Sequence, residues 1–405
     1  MKEVIIIGGG ASGLMAAIMA AREGYKVTIL EHKDKLGKKI LATGNGKCNY
    51  TNLVQEQECY RSEDNSFPFQ ILSCFDVSKT IDFFLDLGIY PKDKKGYLYP
   101  YSEQATSVLS VLEMEIKRLK VKVCLSTHVD KIHKNKSKFL IESNTGKYEA
   151  DKVILATGGC ASSNLGSDGS GYGLAKAFGH KIIKPLPALV QLVSDEKYFK
   201  TLAGVRCNAS VQLYGNKKLL GEETGEILMA NYGVSGIPIL QLSRYAARAI
   251  DRKERVHLLI DFLPELSRDK TKELLKNRTI MNGHKNIEEM LVGLFNNKLA
   301  YVLLLQGNIP VSKSCGQLNE KDIDVLTTLI KSFSVPITKT QSFEQAQVSS
   351  GGVDTREINP KTLESTIVKG LYFTGELIDV DGTCGGYNLQ WAWSSGVVAA
   401  RGLKG

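Results

Sequence analysis

The chain has 405 residues, of which 43% are hydrophobic and 23% are charged, a composition typical of a folded globular protein with two or three domains. The longest apolar runs, such as residues 14–21, are far shorter than the ~20 residues needed to cross a bilayer, and no signal peptide is recognisable. We therefore expect a cytoplasmic protein without a membrane partner. The formal charge is +9, but the basic residues are spread along the chain, which disfavours a nucleic-acid partner.

Eight cysteines are present, and no two of them have the spacing Cys-x-x-Cys. This disfavours a structural zinc site and a redox-active disulfide of the thioredoxin-reductase kind. We expect no metal site, and we expect reduced thiols that are mostly buried.

The first 31 residues follow a strand–turn–helix–strand pattern. Residues 3–7 are a short apolar run that predicts a buried parallel strand, and the helix formers of residues 14–23 stop at Gly24. Residues 26–30 predict the next strand, which ends at Glu31. Together they form a βαβ unit of about thirty residues.

Further elements are predicted downstream. Helices are expected over residues 77–88, 103–119, 239–251, 269–277, 286–307 and 320–333. Strands are expected near 121–125, 138–142 and 152–156, with shorter strand-like pieces in 336–349, and 370–405 predicts a strand, a glycine loop and a helix. The order of elements predicts an α/β fold in which a dinucleotide domain, formed by residues 1–187 and 346–405, is split by an insertion.

The turn after the first strand has the spacing Gly8-x-Gly10-x-x-Gly13. Gly8 permits the tight turn, Gly10 lets the backbone approach a diphosphate, and Gly13 allows close packing of helix and strand. Ala11 and Ser12 begin the helix, where free N–H groups and the helix dipole favour an anion. The carboxylate of Glu31 can accept both hydroxyls of an adenosine ribose and would repel a 2′-phosphate.

Two distant segments favour FAD over NAD. Ala156-Thr157-Gly158-Gly159 ends a strand where two-dinucleotide-binding flavoproteins place a loop beside FAD. Near the C-terminus, a strand ends in Gly375-Glu376, and the loop 379–386 opens the last helix. The N-terminus of that helix would stabilise the negative charge that builds on the pyrimidine side of a reduced flavin.

With these segments assembled, the chain resembles the BaiN-like family of FAD-dependent oxidoreductases, also called aminoacetone oxidase-like or YhiN-like. The resemblance covers nearly the whole chain and is carried by residues 8–13, 37–52, 156–159, 233–238 and 374–396. The sequence departs from the family pattern at two places. Lys47 stands where the family has Arg, and Met229-Ala230-Asn231 stands where the family commonly has Phe-Thr-His. Lys47 lacks the planar guanidinium group of an arginine, and any role that the family gives to the histidine cannot be assigned to this chain.

The resemblance implies a Rossmann-type, two-dinucleotide-binding flavoprotein fold in three parts. These are the FAD domain, a β-rich, barrel-like insert over residues 188–262 and 308–345, and a small helical part over 263–307. It also implies that residues 38–52 wrap the FAD, that residues 385–389 lie near the isoalloxazine ring, and that Val129 supplies a backbone contact to adenine. The complete set of predicted cofactor-binding residues is Gly8, Gly10, Ala11, Ser12, Gly13, Glu31, His32, Lys38, Lys39, Thr43, Gly44, Asn45, Gly46, Cys48, Asn49, Val129, Thr157, Gly158, Gly375, Glu376, Asp379, Gly386, Tyr387, Asn388 and Leu389.

Three functions stay open at this point. The resemblance implies either an NAD(P)H-linked reductase of an activated C=C bond, as in the bile-acid branch, or an oxygen-dependent amine oxidase of aminoacetone type. The charge of +9 raises a third, a flavin-dependent RNA-modifying or RNA-binding protein, which the scattered lysines disfavour. No good second Gly-x-Gly-x-x-Gly occurs in 188–345, so NAD(P)H would be a transient co-substrate.

Catalytic residues are not identified by the sequence, although Tyr387, Cys384 and Cys48 are candidate proton donors. Tyr97, Tyr99 and Tyr101 form an alternating stripe, for which we expect core packing rather than a place in a pocket. The substrate is expected to be a small molecule, and the oligomeric state is left open.

Overall fold

The computed structural model describes residues 2–404. Within them, β1 (Glu3–Ile7), β2 (Lys26–Leu30), β3 (Lys122–Cys124), β4 (Lys152–Leu155) and β5 (Leu371–Phe373) form one parallel sheet. The order across the sheet is β5-β4-β1-β2-β3. All of β4 and β5 is buried, and burial on both faces explains why these strands are short continuous apolar runs rather than alternating ones.

Two helices from opposite ends of the chain pack against each other beside this sheet. They are α1 (Ala11–Arg22) and α2 (Tyr387–Gly402). A Cβ on Gly396 of α2 would lie 2.6 Å from the carbonyl oxygen of Ser12 in α1, so the two backbones approach as closely as glycine allows. Trp391 and Trp393 of α2 are 1% and 0% exposed, so both belong to the core.

The described residues divide into two compact units, each with its own hydrophobic core. One unit contains the chain up to Leu186 and the chain from Gln347 onward, and the other is Pro187–Ala346. In the second unit, seven strands form one antiparallel sheet, which confirms a β-rich insert in a Rossmann-type fold. The separate helical part predicted within this insert stays a prediction.

The insert contains the following strands and helices. In order across the sheet the strands are Phe333–Ile337, Val256–Asp261, Arg206–Gly215, Lys218–Ala230, Gly233–Gly236, Leu192–Val193 and Lys339–Thr340. The α-helices are Phe199–Leu202, Ile237–Asp251, Arg268–Met281, Ile287–Leu291, Asn297–Gln306 and Glu320–Lys331.

The first unit contains further elements around the parallel sheet. The strands are Thr51–Asn52, Tyr60–Arg61, Pro91–Lys94, Tyr97–Pro100, Val129–Asn135, Lys138–Ser143, Gly146–Ala150, Ile182–Ala188, Val348–Val353 and Asp381–Gly382. The helices are Lys38–Ala42, Phe67–Leu72, Val77–Asp86, Ala105–Arg118 and Ser170–Ala177.

The helix predicted over residues 286–307 is wrong, because the structure has two helices there. Gly293 has a φ of +85°, a left-handed conformation that breaks a helix. The Asn296 side chain accepts a hydrogen bond from the Lys298 N–H, and so starts the second helix at Asn297. The lysine-rich residues 131–138 lie in a hairpin, in which Asn135 pairs with Lys138.

Candidate FAD site

The turn between β1 and α1 is shaped by three glycines. A Cβ on Gly8, whose φ is +107°, would lie 2.4 Å from the Ala156 carbonyl oxygen, and a Cβ on Gly13 would lie 2.0 Å from the Gly8 oxygen. A Cβ on Gly10 would meet none of the described atoms within 4 Å, so the backbone there is open to a ligand. The first N–H groups of α1, from Ala11 onward, have no intrahelical partner, so the turn offers a site for a diphosphate.

Glu31 follows β2, and backbone donors hold its buried carboxylate in place. Oε2 accepts a hydrogen bond from the Gly9 N–H at 2.6 Å, and Oε1 accepts one from the Lys33 N–H at 2.7 Å. His32 lies beside it, with Nδ1 3.3 Å from Glu31 Oε1. Because a carboxylate oxygen can accept two hydrogen bonds, Glu31 keeps the capacity for ribose hydroxyls. Its ribose contact stays a prediction.

Two residues that were both predicted to bind the cofactor contact each other. The Lys39 ammonium lies 2.9 Å from Glu376 Oε2 and also donates to the Ala161 carbonyl at 3.1 Å. Glu376 Oε1 accepts a hydrogen bond from the Ser349 N–H at 2.7 Å. This network joins four chain segments beside the turn, so Lys39 serves here as a bridge between loops. Lys38 pairs with Asp34 instead, at 2.5 Å.

Residues 43–49 form a tight loop with repeated left-handed backbone. Gly44, Asn45, Gly46 and Cys48 have φ values of 56°, 54°, 81° and 56°. The Cys48 thiol is fully buried, and this burial raises its pKa to about 12. A thiol with such a pKa is not a ready nucleophile near neutral pH, and a side chain that is 0% exposed offers no surface to a substrate, which weighs against a catalytic role for Cys48. The Thr43 hydroxyl is also engaged, donating to the Ile40 carbonyl at 2.6 Å.

The end of β5 meets the first turn of the chain. The Thr374 hydroxyl donates to Ser12 Oγ at 3.2 Å, and a Cβ on Gly375 would lie 2.5 Å from the same oxygen. The Trp391 indole N–H donates to the Gly375 carbonyl at 2.9 Å, and the Gly375 N–H donates to Ser395 Oγ at 2.9 Å. The structure therefore brings the N-terminal glycine turn and the C-terminal Gly-acid pair into one place, although 362 residues separate Ser12 from Thr374.

Asn388 and Gly386 shape the start of α2. Asn388 Oδ1 accepts from the Gly382 N–H at 2.8 Å, and its Nδ2 donates to the Gly382 carbonyl at 2.9 Å, which fixes the preceding loop. Gly386 has a φ of +95°, and a Cβ there would lie 2.7 Å from the Thr51 carbonyl. Burial raises the pKa of Tyr387, whose ring packs edge-on against Tyr60 at 5.7 Å. Because the Asn388 side chain is committed to the loop, its contact to a cofactor would run through its backbone N–H; this contact and that of Leu389 stay predictions.

Several buried polar atoms of the first unit have no hydrogen-bond partner among the described residues. They include Asn49 Oδ1, Tyr50 Oη, Thr157 Oγ1, Tyr172 Oη and Ser350 Oγ. Buried polar atoms without partners are rare in folded proteins, so their number indicates a polar ligand. A large molecule with many donors and acceptors, such as FAD, fits this set of residues and the glycine-lined turn.

The other predicted residues lie in the same unit. Val129 begins a hairpin strand and is 6% exposed. A Cβ on Gly158, with a φ of +74°, would lie 2.8 Å from Ser167 Oγ. Asp379 is buried, and its Oδ2 accepts a hydrogen bond from the Glu63 N–H at 2.9 Å. Their contacts to a cofactor stay predictions.

The segment Val348–Val353 was missed as part of the site. Ser349 Oγ accepts a hydrogen bond from the Cys160 N–H at 2.8 Å, and the Ser349 N–H binds Glu376. Gly351 and Gly352 have φ values of 98° and 150°, and a Cβ on either would lie 2.5 Å from a backbone oxygen. The adjacent glycines were the available signal, because such a pair within a strand indicates a close backbone approach.

Among the described residues, no group of three or more His, Cys, Asp or Glu side chains could hold a metal ion. The eight cysteines all lie in the described part of the chain and are free thiols. None of the helices in the described part of the chain is long and apolar enough to cross a membrane.

The fold and the site define a Rossmann-type, FAD-dependent oxidoreductase. A family model described as "HI0933-like protein Rossmann domain" matches residues 2–402, and the chain belongs to this HI0933-like family. The match spans both compact units, and so includes the insert as well as the dinucleotide domain.

Three curated relatives match over nearly their whole length. The 3-dehydro-bile acid delta(4,6)-reductase of Clostridium scindens is 43% identical over 403 residues, which covers 99% of this chain and 98% of the relative. Ribosomal RNA dihydrouridine synthases of Haemophilus influenzae and Escherichia coli are 31% and 32% identical. They cover 100% and 99% of this chain, and 98% of each relative is covered.

Proposed function

We propose that the protein reduces a C=C bond conjugated to a carbonyl, in a substrate resembling an oxo-bile acid or oxo-steroid. The observation that carries this proposal is the 43% identity, over 99% of the chain, to a relative named for delta(4,6) reduction of a 3-dehydro-bile acid. When bound, FAD supplies the hydride, from flavin N5, and the carbonyl makes the β-carbon of the double bond electrophilic. The chain itself has to hold the cofactor, orient the substrate and provide a proton for the α-carbon.

Different residues of the first unit would hold different parts of the cofactor. The open backbone at Gly10 and the start of α1 hold the diphosphate, and Glu31 accepts the ribose hydroxyls. The N-terminus of α2, from Tyr387 onward, would hold the flavin ring system through its free N–H groups and would stabilise negative charge on it.

Tyr387 and Cys384 are the candidate proton donors that remain at this helix start. Burial raises the pKa of Tyr387, so its phenol is protonated throughout the neutral range and carries a proton to give. Cys384 is half-buried three residues earlier. Of the two, we propose Tyr387.

The proposed electron donor is NAD(P)H, acting as a transient co-substrate. The stoichiometry of the reaction supports this donor, because every C=C reduction takes two electrons from the flavin and an external donor has to reduce the flavin again. The sequence of residues 188–345 has no good second dinucleotide fingerprint, so the nicotinamide would enter and leave the flavin's own site.

A second candidate substrate is uridine within ribosomal RNA. Two relatives over 30% identical are named ribosomal RNA dihydrouridine synthases, and the net charge of +9 would suit a polyanion. Conversion of uridine to dihydrouridine also saturates a C=C bond conjugated to a carbonyl. The two candidates therefore share a reaction class and differ in the molecule presented to the flavin. The amine oxidase of aminoacetone type stays a prediction.

Anaerobic reduction of the purified holoenzyme tests these functions. NADH, NADPH and aminoacetone are each mixed with the enzyme, and bleaching of the flavin absorbance is followed. The reduced enzyme is then mixed with a 3-oxo-Δ4 steroid acid, a uridine-containing ribosomal RNA fragment, or air. We expect bleaching by NAD(P)H and fast reoxidation by the steroid acid. Bleaching only by the amine, with peroxide release in air, contradicts the proposal, and reoxidation only by RNA favours the second candidate.

A further inference from the structure

A small three-stranded sheet lies next to the start of α2. Its hairpin strands are Pro91–Lys94 and Tyr97–Pro100, and the third strand is Thr51–Asn52. In the hairpin, Lys94 pairs with Tyr97 and Lys92 pairs with Tyr99. Residues that pair directly across antiparallel strands project to the same face, so these lysines and tyrosines share one face.

The other face of the hairpin is the buried one. Leu98, between Tyr97 and Tyr99, is only 3% exposed, whereas Tyr97 and Tyr101 are 41% and 64% exposed. The core packing expected for the tyrosine stripe is therefore wrong, because the alternation places Leu98 inwards and the tyrosines outwards. We call the outward side the lysine–tyrosine face, which is formed by Lys92, Lys94, Tyr97, Tyr99 and Tyr101.

On this face, ammonium groups lie over aromatic rings. Lys94 Nζ is 5.3 Å from the centre of the Tyr99 ring, and Lys92 Nζ is 5.6 Å from the centre of the Tyr101 ring. Contacts at this distance are cation–π interactions, which hold the lysine side chains along the rings instead of letting them extend into solvent. The cations are therefore kept close to an apolar surface.

One carboxylate forms ion pairs with both of these ammonium groups and with a third, that of Lys47. Glu103 forms ion pairs with Lys47 at 3.3 Å, with Lys94 at 2.8 Å, and with Lys92. The three lysines lower the pKa of Glu103 to about 2, so it stays ionised. A single negative charge cannot neutralise three positive ones, and a surplus of positive charge is left for an anion.

The lysine–tyrosine face begins at the loop that starts α2. A Cβ on Gly385 would lie 2.5 Å from the Tyr97 ring, so ring and loop are packed together. The Asn52 side chain donates to the Gly385 carbonyl at 3.0 Å, which ties the same sheet to the same loop. Lys92 pairs with Tyr99 and lies two residues along the hairpin from the pair Lys94–Tyr97. At the rise of an extended strand, this places Lys92 about 7 Å farther from the loop than Lys94.

We propose that the lysine–tyrosine face binds the carboxylate tail of an amphipathic substrate while the enone end of that substrate lies at the start of α2. The tyrosine rings receive the apolar body, and Lys92 and Lys94 receive the carboxylate. This inference rests on the proposed reduction of a steroid-like acid and names the part of the protein that selects an acid over a neutral steroid.

The test compares two substrates of the same ring system. One is a 3-oxo-Δ4 steroid acid, and the other is its uncharged methyl ester. In the double variant Lys92→Gln with Lys94→Gln, we expect the KM for the acid to rise about five- to tenfold with little change in kcat, and the KM for the ester to stay constant. The wild-type KM for the acid should increase with ionic strength, and that of the variant should not.

A matched control removes two lysines from a different hairpin. Lys217 and Lys218 lie at the start of the strand Lys218–Ala230, and the double variant Lys217→Gln with Lys218→Gln loses the same charge. We expect it to retain the wild-type KM for both substrates. Equal changes for acid and ester in the Lys92/Lys94 variant, or equal changes in the control, overturn the proposal.

Failure of the proposed function can be recognised separately. If the wild-type enzyme reduces neither steroid, binding of the acid and of the ester to the holoenzyme is measured by equilibrium dialysis instead of turnover. Tighter binding of the acid than of the ester by the wild-type protein, with loss of this difference in the Lys92/Lys94 variant, still supports the site. If that variant instead loses affinity for a ribosomal RNA fragment and keeps the wild-type preference for acid over ester, the face serves a polyanion and the proposal fails.

Discussion

The Lys39 ammonium lies 2.9 Å from Glu376 Oε2, although the two residues are 337 positions apart in the chain. Lys39 belongs to the short helix after β2, and Glu376 follows β5. Because Glu376 also binds the Ser349 N–H, the pair connects loops at the edge of the candidate FAD site. Lys39 therefore has a structural contact at this site, and its contact to the cofactor stays a prediction.

Lys39→Met should weaken FAD binding by loosening this connection. The two side chains are 26% and 17% exposed, so the loss of the partly screened pair should cost about 1–2 kcal/mol of stability. We expect a lower thermal midpoint and about tenfold faster release of FAD, measured by the recovery of flavin fluorescence. Lys147→Met, which removes an exposed pair with Glu142, is the control and should change neither quantity. Retention of FAD at the wild-type rate by Lys39→Met contradicts the bridging role.

Gly13→Ala should abolish FAD binding. The new methyl group would lie 2.0 Å from the Gly8 carbonyl oxygen, so the turn would have to move away from the shape that accepts a diphosphate. Gly173→Ala is the matched control, since Gly173 also lies in a helix and its Cβ would meet none of the described atoms within 4 Å. That variant should bind FAD normally and gain about 0.5–1 kcal/mol from the helix preference of alanine. The flavin-to-protein absorbance ratio after purification measures both outcomes.

Tyr387→Phe should lower kcat for C=C reduction by about a hundredfold and leave FAD content and KM nearly unchanged. The reason is that only the phenolic hydroxyl, and with it the proton, is removed, while the ring still packs against Tyr60. Tyr60→Phe is the control, because it also removes a buried hydroxyl, one that donates to Gln55 at 2.7 Å. A Tyr387→Phe enzyme with wild-type kcat would place the proton donor elsewhere, with Cys384→Ser as the next variant to measure.

His180 should make the protein less stable as the pH falls below about 6.5. Its side chain is fully buried, and burial lowers the pKa of the ring below the usual 6.5. Ser365 Oγ accepts two backbone N–H groups, so its own proton is free to bind His180 Nε2 at 2.8 Å, which keeps that nitrogen unprotonated. The unfolded state therefore takes up the proton more readily, and stability present above pH 6.5 is lost on acidification.

Urea denaturation at about pH 7.5 and about pH 5.5 measures this effect. The wild-type midpoint should fall at the lower pH. His180→Gln should be less stable at both pH values and should show a smaller fall between them. An equal fall in both proteins would assign the acid sensitivity to other groups.

The parallel sheet could be predicted because its strands are buried on both faces. Residues 4–7 are a continuous apolar run, residues 26–30 are mostly apolar, and a glycine turn and a helix separate them; this local pattern needs no distant partner to be recognised. The C-terminal block could also be recognised locally, because the glycines of Gly375-Glu376 and of residues 385–386 indicate turns, and all three have positive φ values. These features account for the correct fold class and for the assignment of FAD.

The contacts between distant side chains could not be predicted. Nothing local distinguishes a Lys39 that binds a phosphate from a Lys39 that pairs with Glu376, since both need only a flexible cation. The alternation of Tyr97, Leu98 and Tyr99 indicates a strand with two faces, but it does not tell which face is buried. Val348–Val353 was overlooked because its role depends on Cys160 and Glu376, which lie far away in sequence.

The order of strands in the parallel sheet also bears on the way the protein is made. β1 and α1 are synthesised before β5 and α2, on which α1 packs, because β5 begins only at Leu371. The insert Pro187–Ala346 ends before β5 begins and has its own core, so it can start to fold while the first half still waits for its last strand and helix. The flavin would then be captured as a late step, after β5 and α2 have been made.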